Sequence, residues 1–452
     1  MGRVTTREDV AHLLRRATFG PRAIELDEAE RIGYGATLDA LLAQTGPTPG
    51  SDPGADRTPV PAGERDPYAV LPKNADGDAK AAAVKAQKAQ VVALTSWWVN
   101  RMVAADHQAR EKLTFFWHGH WATSVQKVRS ANLMRTQQQT LYRLAGGDFG
   151  AMVHAMVRDP ALIYWLDGQR NSAAAPNENL GRELMELFTL GIGNYTETDV
   201  KEGARALTGW QLDRVEGTAS FNPKRFDGKP KTILGKRADH DADDFVELLL
   251  ARPVTAKFVT ARLWFRYASG EPIPADTHQR LVAAYGTKRD ITAVLRAIFT
   301  DPAFAQTRGQ LVKQPVEWAV GAMRQLDIDP GSWKDGDRRS LNNALDALGQ
   351  VPFAPPSVGG WPAGAAWLTT STAQLRIALA NRFANNVAPA ALDAVASTPA
   401  AGRPDALARL LAVEAFSDRT RAVLLDAGNS GKQADLRRQI ALALASPEYC
   451  VQ

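Results

Sequence analysis

The chain is almost free of cysteine. Cys450 is the only one and stands two residues from the end, so one chain can build neither a disulfide framework nor a cysteine-rich metal centre. That usage fits a reducing compartment and is equally compatible with work outside the cell. Nowhere does an apolar run reach the roughly 18 residues a membrane-spanning helix needs. The opening residues, MGRVTTREDVAHLLRR, are charged and hold no apolar stretch of a secretory signal, so the cytoplasm is the default location. Charge of one sign is scarce too. Lysine and arginine number 54 against 49 acids, a net +5, which gives no dense basic stripe and no expectation of nucleic-acid binding. Also missing are a Gly-x-Ser-x-Gly elbow, a Walker loop, His-Glu-x-x-His and a dinucleotide fingerprint, so the chemistries that depend on them fall behind.

What is present is helix after helix. At 452 residues with 45% hydrophobic and 23% charged positions, the composition is that of a globular protein with a sizeable core. The expected fold is mainly α: a large helical domain with long Pro/Gly-rich loops and at most a short β-hairpin near 218–235. Residues 1–45 read as N-terminal helices, with Thr5 and Glu8 as a capping box and a second helix over 21–42. Residues 46–77 are so rich in Pro, Gly and Asp that they predict a flexible excursion without regular structure. Residues 78–371 form a helical core that carries the motifs, with helices over 78–105, 107–117, 127–143, 178–190, 197–209, 253–268 and 312–326 among others. Residues 372–452 are Ala/Leu/Arg-rich helices that pack on the same domain.

The segment from Asn177 to Gly191, NENLGRELMELFTLG, has a polar face. Asn179, Arg182, Glu183 and Glu186 share an arc of about 100°, opposite Leu180, Leu184, Leu187 and Phe188. Gly191 is placed to end the helix. Glu183 and Glu186, three apart, can converge; such carboxylates share a proton, pair with a cation such as Arg182, or hold a metal. A solvated surface helix has the same pattern. The following GNYTETDV opens another helix with a Thr196/Asp199 box and puts Asn194 and Tyr195 on the connecting corner.

His118 and His120 sit in FWHGHW, Phe116 to Trp121, in a chain with seven histidines. They share a face only on extended backbone, which Gly119 permits; on a helix they point about 200° apart. Extended, they are a chelating pair that Glu183 and Glu186 would complete around a divalent metal. They are equally open to acid–base work or to a plain core role, one hydrogen-bonded inside and one capping a helix.

Together these motifs resemble the bacterial family of domain of unknown function 1800. The resemblance runs in order through HLLRRATFGP, REKLTFFWHGHWATS, NENLGRELMELFTLGIGNYTETDV, ALTGW, KTILG, VKQPVEW and FAPPSVGGWPAGAAWLTTS, nearly the whole chain. It implies a mainly helical protein without an established activity, often encoded beside an exported sulfatase/phosphatase-like protein. The implied partner is that protein, with which this chain could be exported. The strongest motifs fall on His118, His120, Asn177, Glu178, Asn179, Arg182, Glu183, Glu186, Thr189, Tyr195, Thr196, Asp199, Lys231, Trp361 and Trp367. Many relatives have His-Asp where this chain has Phe226-Asp227, so position 226 stays outside the candidate site.

Two functions are expected from different classes. One is a metal-assisted or acid–base, hydrolase-like enzyme acting on a polar substrate such as a saccharide or an ester. Glu183, Glu186, His118 and His120 would be its catalytic residues or metal ligands. Asn177, Asn179, Arg182, Tyr195, Lys231 and Trp361 would bind substrate. The other is a non-catalytic assembly or maturation partner, in which the same polar groups form a closed hydrogen-bond network. An enzyme needs them around an open pocket; a scaffold needs them satisfied by each other.

Overall fold

A computed structural model describes residues 6–46, 48, 50–428 and 433–452. Its longest helix, Gly77–Ala104, begins where the Asp76 carboxylate accepts the Ala79 amide, satisfying one of the donors a helix start leaves open. The chain turns and enters the helix Gln108–His120, in which every residue except Gly119 is buried. An all-round buried helix must meet apolar surface on every side, and this one does. Leu113, Phe116 and Trp117 join an apolar cluster with the N-terminal helices and residues 141–304. Phe115 joins a second cluster built from Trp98, Met102, Trp318, Phe383 and Ile440. The helix is thus a wall shared by both clusters.

Charges on this central helix are buried as well: Arg110 donates to the Gln44, Gly46 and Arg143 carbonyls, while Glu111 and Lys112 find counter-charges on neighbouring helices. Arg101 of Gly77–Ala104 meets Glu111 at 2.5 Å. Lys112 meets Glu317 of the helix Pro315–Gln325 at 2.7 Å, and Arg266 of Pro253–Tyr267 meets the same carboxylate at 2.9 Å. Removing any one of these charges would strand its partner in a low-dielectric interior.

The mainly α architecture is as expected, with refinements that have local causes. The helix expected over 21–42 is two, Ala23–Ile32 and Tyr34–Ala43, because Gly33 takes a φ of +84° between them. The first capping box uses Thr6 and Asp9, one residue beyond the expected pair. Residues 46–77, expected to lack regular structure, hold the short helix Pro53–Asp56. Two buried carboxylates anchor the stretch: Asp52 accepts the Asp106 and His107 amides, and Asp66 accepts from Gln87 and Arg214. The strand segment at 218–235 does not fold on itself. Thr218–Phe221 pairs back to Trp210–Asp213, and Lys231–Ile233 pairs forward to Lys236–Ala238. Among the described residues no helix is long and apolar enough to cross a membrane.

Candidate functional site

The Gln108–His120 helix keeps its α geometry through Gly119, so His118 and His120 diverge, and the chelating pair expected on extended backbone does not form. His118 turns into the second cluster, its ring centroid 5.2 Å from Trp98 and 5.4 Å from Phe353 and from Trp361. Its Nε2 accepts the Phe353 backbone N–H at 2.9 Å. Burial lowers its pKa to about 3, because nothing there solvates an imidazolium. His118 is a closed-off acceptor that pins the loop starting at Phe353.

His120 turns the other way. Its Nε2–H donates to the Phe188 carbonyl at 3.1 Å, and its buried Nδ1 has no partner. Burial, assisted by the charge of Arg262, lowers its pKa to about 3. Phe188 can accept because its helix ends at Thr189, just before Gly191 with φ +81°, leaving the last carbonyls without intrahelical donors. The turn Leu184–Thr189 is a π-helix, a local widening that recurs at functional sites.

That widened turn carries Glu186, which accepts the Tyr195 hydroxyl at 2.6 Å. Burial and the adjacent carboxylate push the Tyr195 phenol up to about 12, so it keeps its proton. Burial and then the charge of Glu186 raise the pKa of half-buried Glu183. The two glutamates therefore face each other electrostatically, as their spacing suggested.

Two adjoining cavities share His120, Arg262 and Gly359. One, of about 460 Å³, is lined by Glu186, Leu190, Ile192, Asn194, Lys257 and Phe258. The other, of about 540 Å³, is lined by Phe115, Phe116, Phe265, Arg266, Gln314 and Trp361. Gly360, at φ +88°, lies so close to the helix end that a Cβ would stand 2.6 Å from the Gly119 carbonyl oxygen, and Gly119 in turn faces the Trp361 ring. Two glycines thus let this loop lie on the His120 end of the central helix.

Several predicted residues do other work. Asn177 caps the helix start: its Oδ1 accepts the Asn179 amide, while Asn171 accepts its own. Arg182 clamps Glu178 at 3.0 Å and Glu197 at 2.7 Å. Lys231 is fully buried and donates to the Lys229 carbonyl under the Phe226 ring. Phe226 therefore presents the aromatic face that covers this ammonium. Asn177, Asn179, Arg182 and Lys231 line neither of the two cavities. A larger cavity of about 720 Å³, between Gly77–Ala104 and Asp335–Ala347, has no motif residue in its walls.

The helix expected over 253–268 forms as Pro253–Tyr267, but sequence reasoning missed its part in the site: it supplies Lys257, Phe258, Arg262, Phe265 and Arg266 to the cavities. A signal was there. PVTAKFVTARLWFRY contains no acid, and Val254, Lys257, Phe258, Arg262 and Phe265 recur at helical spacing.

The family model for "Protein of unknown function (DUF1800)" matches residues 12–451. The chain is a DUF1800 protein. No curated protein and no solved structure matches it. In this DUF1800 chain the four proposed metal ligands are not assembled. Among the described residues no group of three or more His, Cys, Asp or Glu side chains could hold a metal ion, and the Nε2 of His118 is occupied by Phe353. The donor set does not fit a metal, and no chemistry is routed through one. His120, Glu186 and Trp361 do reach the paired cavities, with Tyr195 joined to them through Glu186.

Proposed function

We propose that the chain is an acid–base enzyme, hydrolase-like, acting on a polar substrate such as a saccharide or an ester in the paired cavities. The observation that supports this best is that two different proton-handling groups line one cavity: Glu186, held by Tyr195, and His120, whose buried Nδ1 is unpartnered. A histidine with a pKa near 3 holds no proton at neutral pH. Its role is to accept a hydrogen bond from a substrate hydroxyl and orient it. Glu186 is the candidate general base, and the Tyr195 hydroxyl that donates to it holds its carboxylate in place. Trp361 offers a flat wall to a ring-shaped substrate.

The test is a panel of chromogenic esters and glycosides assayed with wild type, Glu186→Gln, Tyr195→Phe and His120→Gln. Turnover by wild type that falls by about 100-fold or more in Glu186→Gln, with the fold intact, supports the assignment. Turnover indifferent to Glu186 removes it.

The second reading is an assembly or maturation partner of a co-encoded sulfatase/phosphatase-like protein. What favours it is apolar exposure at the cavity rims, Ile192 at 78% and Phe265 at 44%, since contiguous exposed apolar groups mark contact surfaces. Co-purification of the two proteins, lost in Ile192→Asp and Phe265→Asp, would support it; independent elution would count against it.

A further inference from the structure

We propose that Arg262 and Arg266 form an anion subsite, in the cavity walled by Trp361, that takes a carboxylate, sulfate or phosphate group on a ring-sized substrate. Both belong to the helix Pro253–Tyr267. Four residues apart, they stand one above the other on successive turns, about 6 Å along the axis. Both line the same cavity.

Arg262 has no hydrogen bond or ion pair among the described residues, although burial lowers its pKa. Arg266 is only 9% exposed and gives one arm, NH1, to Glu317 at 2.9 Å. Its other arm, NH2, is buried and unpartnered. Buried guanidinium N–H groups in proteins are normally satisfied, so the open buried arm of Arg266, beside the unpaired and partly exposed Arg262, points to a missing acceptor. Glu317 cannot neutralise the region, because it is shared with Lys112 at 2.7 Å. Arg266 therefore has only a shared carboxylate, and Arg262 adds a cation with none. The one carboxylate lining the cavity is Glu271, which is exposed.

The remaining walls sharpen the charge. Phe115, Phe116, Phe265 and Trp361 make the surroundings apolar, which strengthens ionic hydrogen bonds. The buried Trp361 Nε1 is also unpartnered. Planar guanidinium groups suit flat or tetrahedral oxyanions, and His120 adjoins them to accept a hydroxyl. The ligand class is therefore a hydroxylated ring bearing an anionic group.

This inference rests on the proposed substrate groove but needs no turnover to be tested. Calorimetric titrations at low ionic strength would use sodium sulfate, sodium phosphate and glucuronate, with glucose as the neutral control. The expected result is one saturable site for at least one anion, weakened about tenfold or more in Arg262→Ala. Arg266→Lys keeps the charge opposite Glu317 while removing the fork, and is expected to weaken binding too. Whichever anion binds best tells carboxylate from sulfate and phosphate. Arg182→Ala, whose side chain lies outside the cavity, should bind as wild type does. Retained anion binding in a protein that turns over no substrate would leave the subsite standing while the acid–base assignment falls. Failure of folded wild type to bind any of the three anions would overturn the proposal. So would equal binding by Arg262→Ala, or an equal loss in Arg182→Ala.

Discussion

The His120 ring donates its Nε2 proton to the carbonyl of Phe188 across 3.1 Å, and this bond ties FWHGHW to NENLGRELMELFTLG. A helix C-terminus leaves carbonyls that need donors, and the histidine supplies one from a different helix. The same bond fixes the ring so that Nδ1 is left without a partner beside two cavities. His118, two residues earlier, spends its lone pair inside the other cluster.

That division predicts opposite behaviour for the two histidines. His118→Leu leaves the buried Phe353 N–H without an acceptor, at a residue already held at φ +68°. The expected loss is about 1–3 kcal/mol of stability, read as a lower midpoint in urea unfolding. A midpoint unchanged from wild type would show that His118 does not anchor the loop.

Acid should destabilise the protein through its buried histidines. His12, His118 and His120 each have a folded pKa of about 3, against roughly 6.5 when unfolded. Below that unfolded value the open chain binds protons that the folded chain refuses. Stability is therefore complete above about pH 6.5 and lost as pH falls toward 3, with a slope of up to about 4 kcal/mol per pH unit for three groups. Urea midpoints measured from pH 7 to 5 should fall steadily, and His118→Gln should flatten the slope by about a third. A flat profile would mean these rings are solvated in the folded state.

The carboxylate of Glu317 serves two buried cations, and its pKa is held low by Arg266 and Lys112 against the opposing effect of burial. Glu317→Gln strands Lys112 and Arg266 and should cost about 3–5 kcal/mol. Differential scanning calorimetry would show this as a large drop in Tm. A shift of a degree or two would mean that water reaches the cluster.

Gly360→Ala forces a Cβ onto the Gly119 carbonyl at a φ of +88°. Strain from the positive φ alone is about 1–2 kcal/mol, and the contact must push the Trp361 loop away. Tryptophan fluorescence should shift as Trp361 leaves Phe115, and any turnover or anion binding should weaken. Unchanged emission and stability would show that the loop does not rest on the helix end.

Much of the helical plan was legible because it depends on local rules. Apolar spacing marked the helices 178–190, 253–268 and 312–326, the Thr196/Asp199 box marked a start, and Gly191 marked an end. The spacing rule failed where one residue changed the path, as Gly33 did by splitting a helix. It failed again at Gly119, whose permissiveness suggested extended backbone although the helix ran through it. Packing decided that case, since both apolar clusters close against the central helix.

By itself the sequence determined the helical class, the extent of the family motifs, and the chemical types gathered in them, because periodicity and side-chain identity are local properties. Only the tertiary structure decided which polar groups meet. It turned His118 inward and His120 toward a cavity, gave Arg182 to Glu178 and Glu197, buried Lys231 under Phe226, and brought Arg262 and Arg266 of the helix Pro253–Tyr267 to the cavity wall. Contacts such as those of His118 with Phe353 and of Lys112 with Glu317 join distant parts of the chain, and they depend on how helices stack, which is settled by the shape and charge of whole faces.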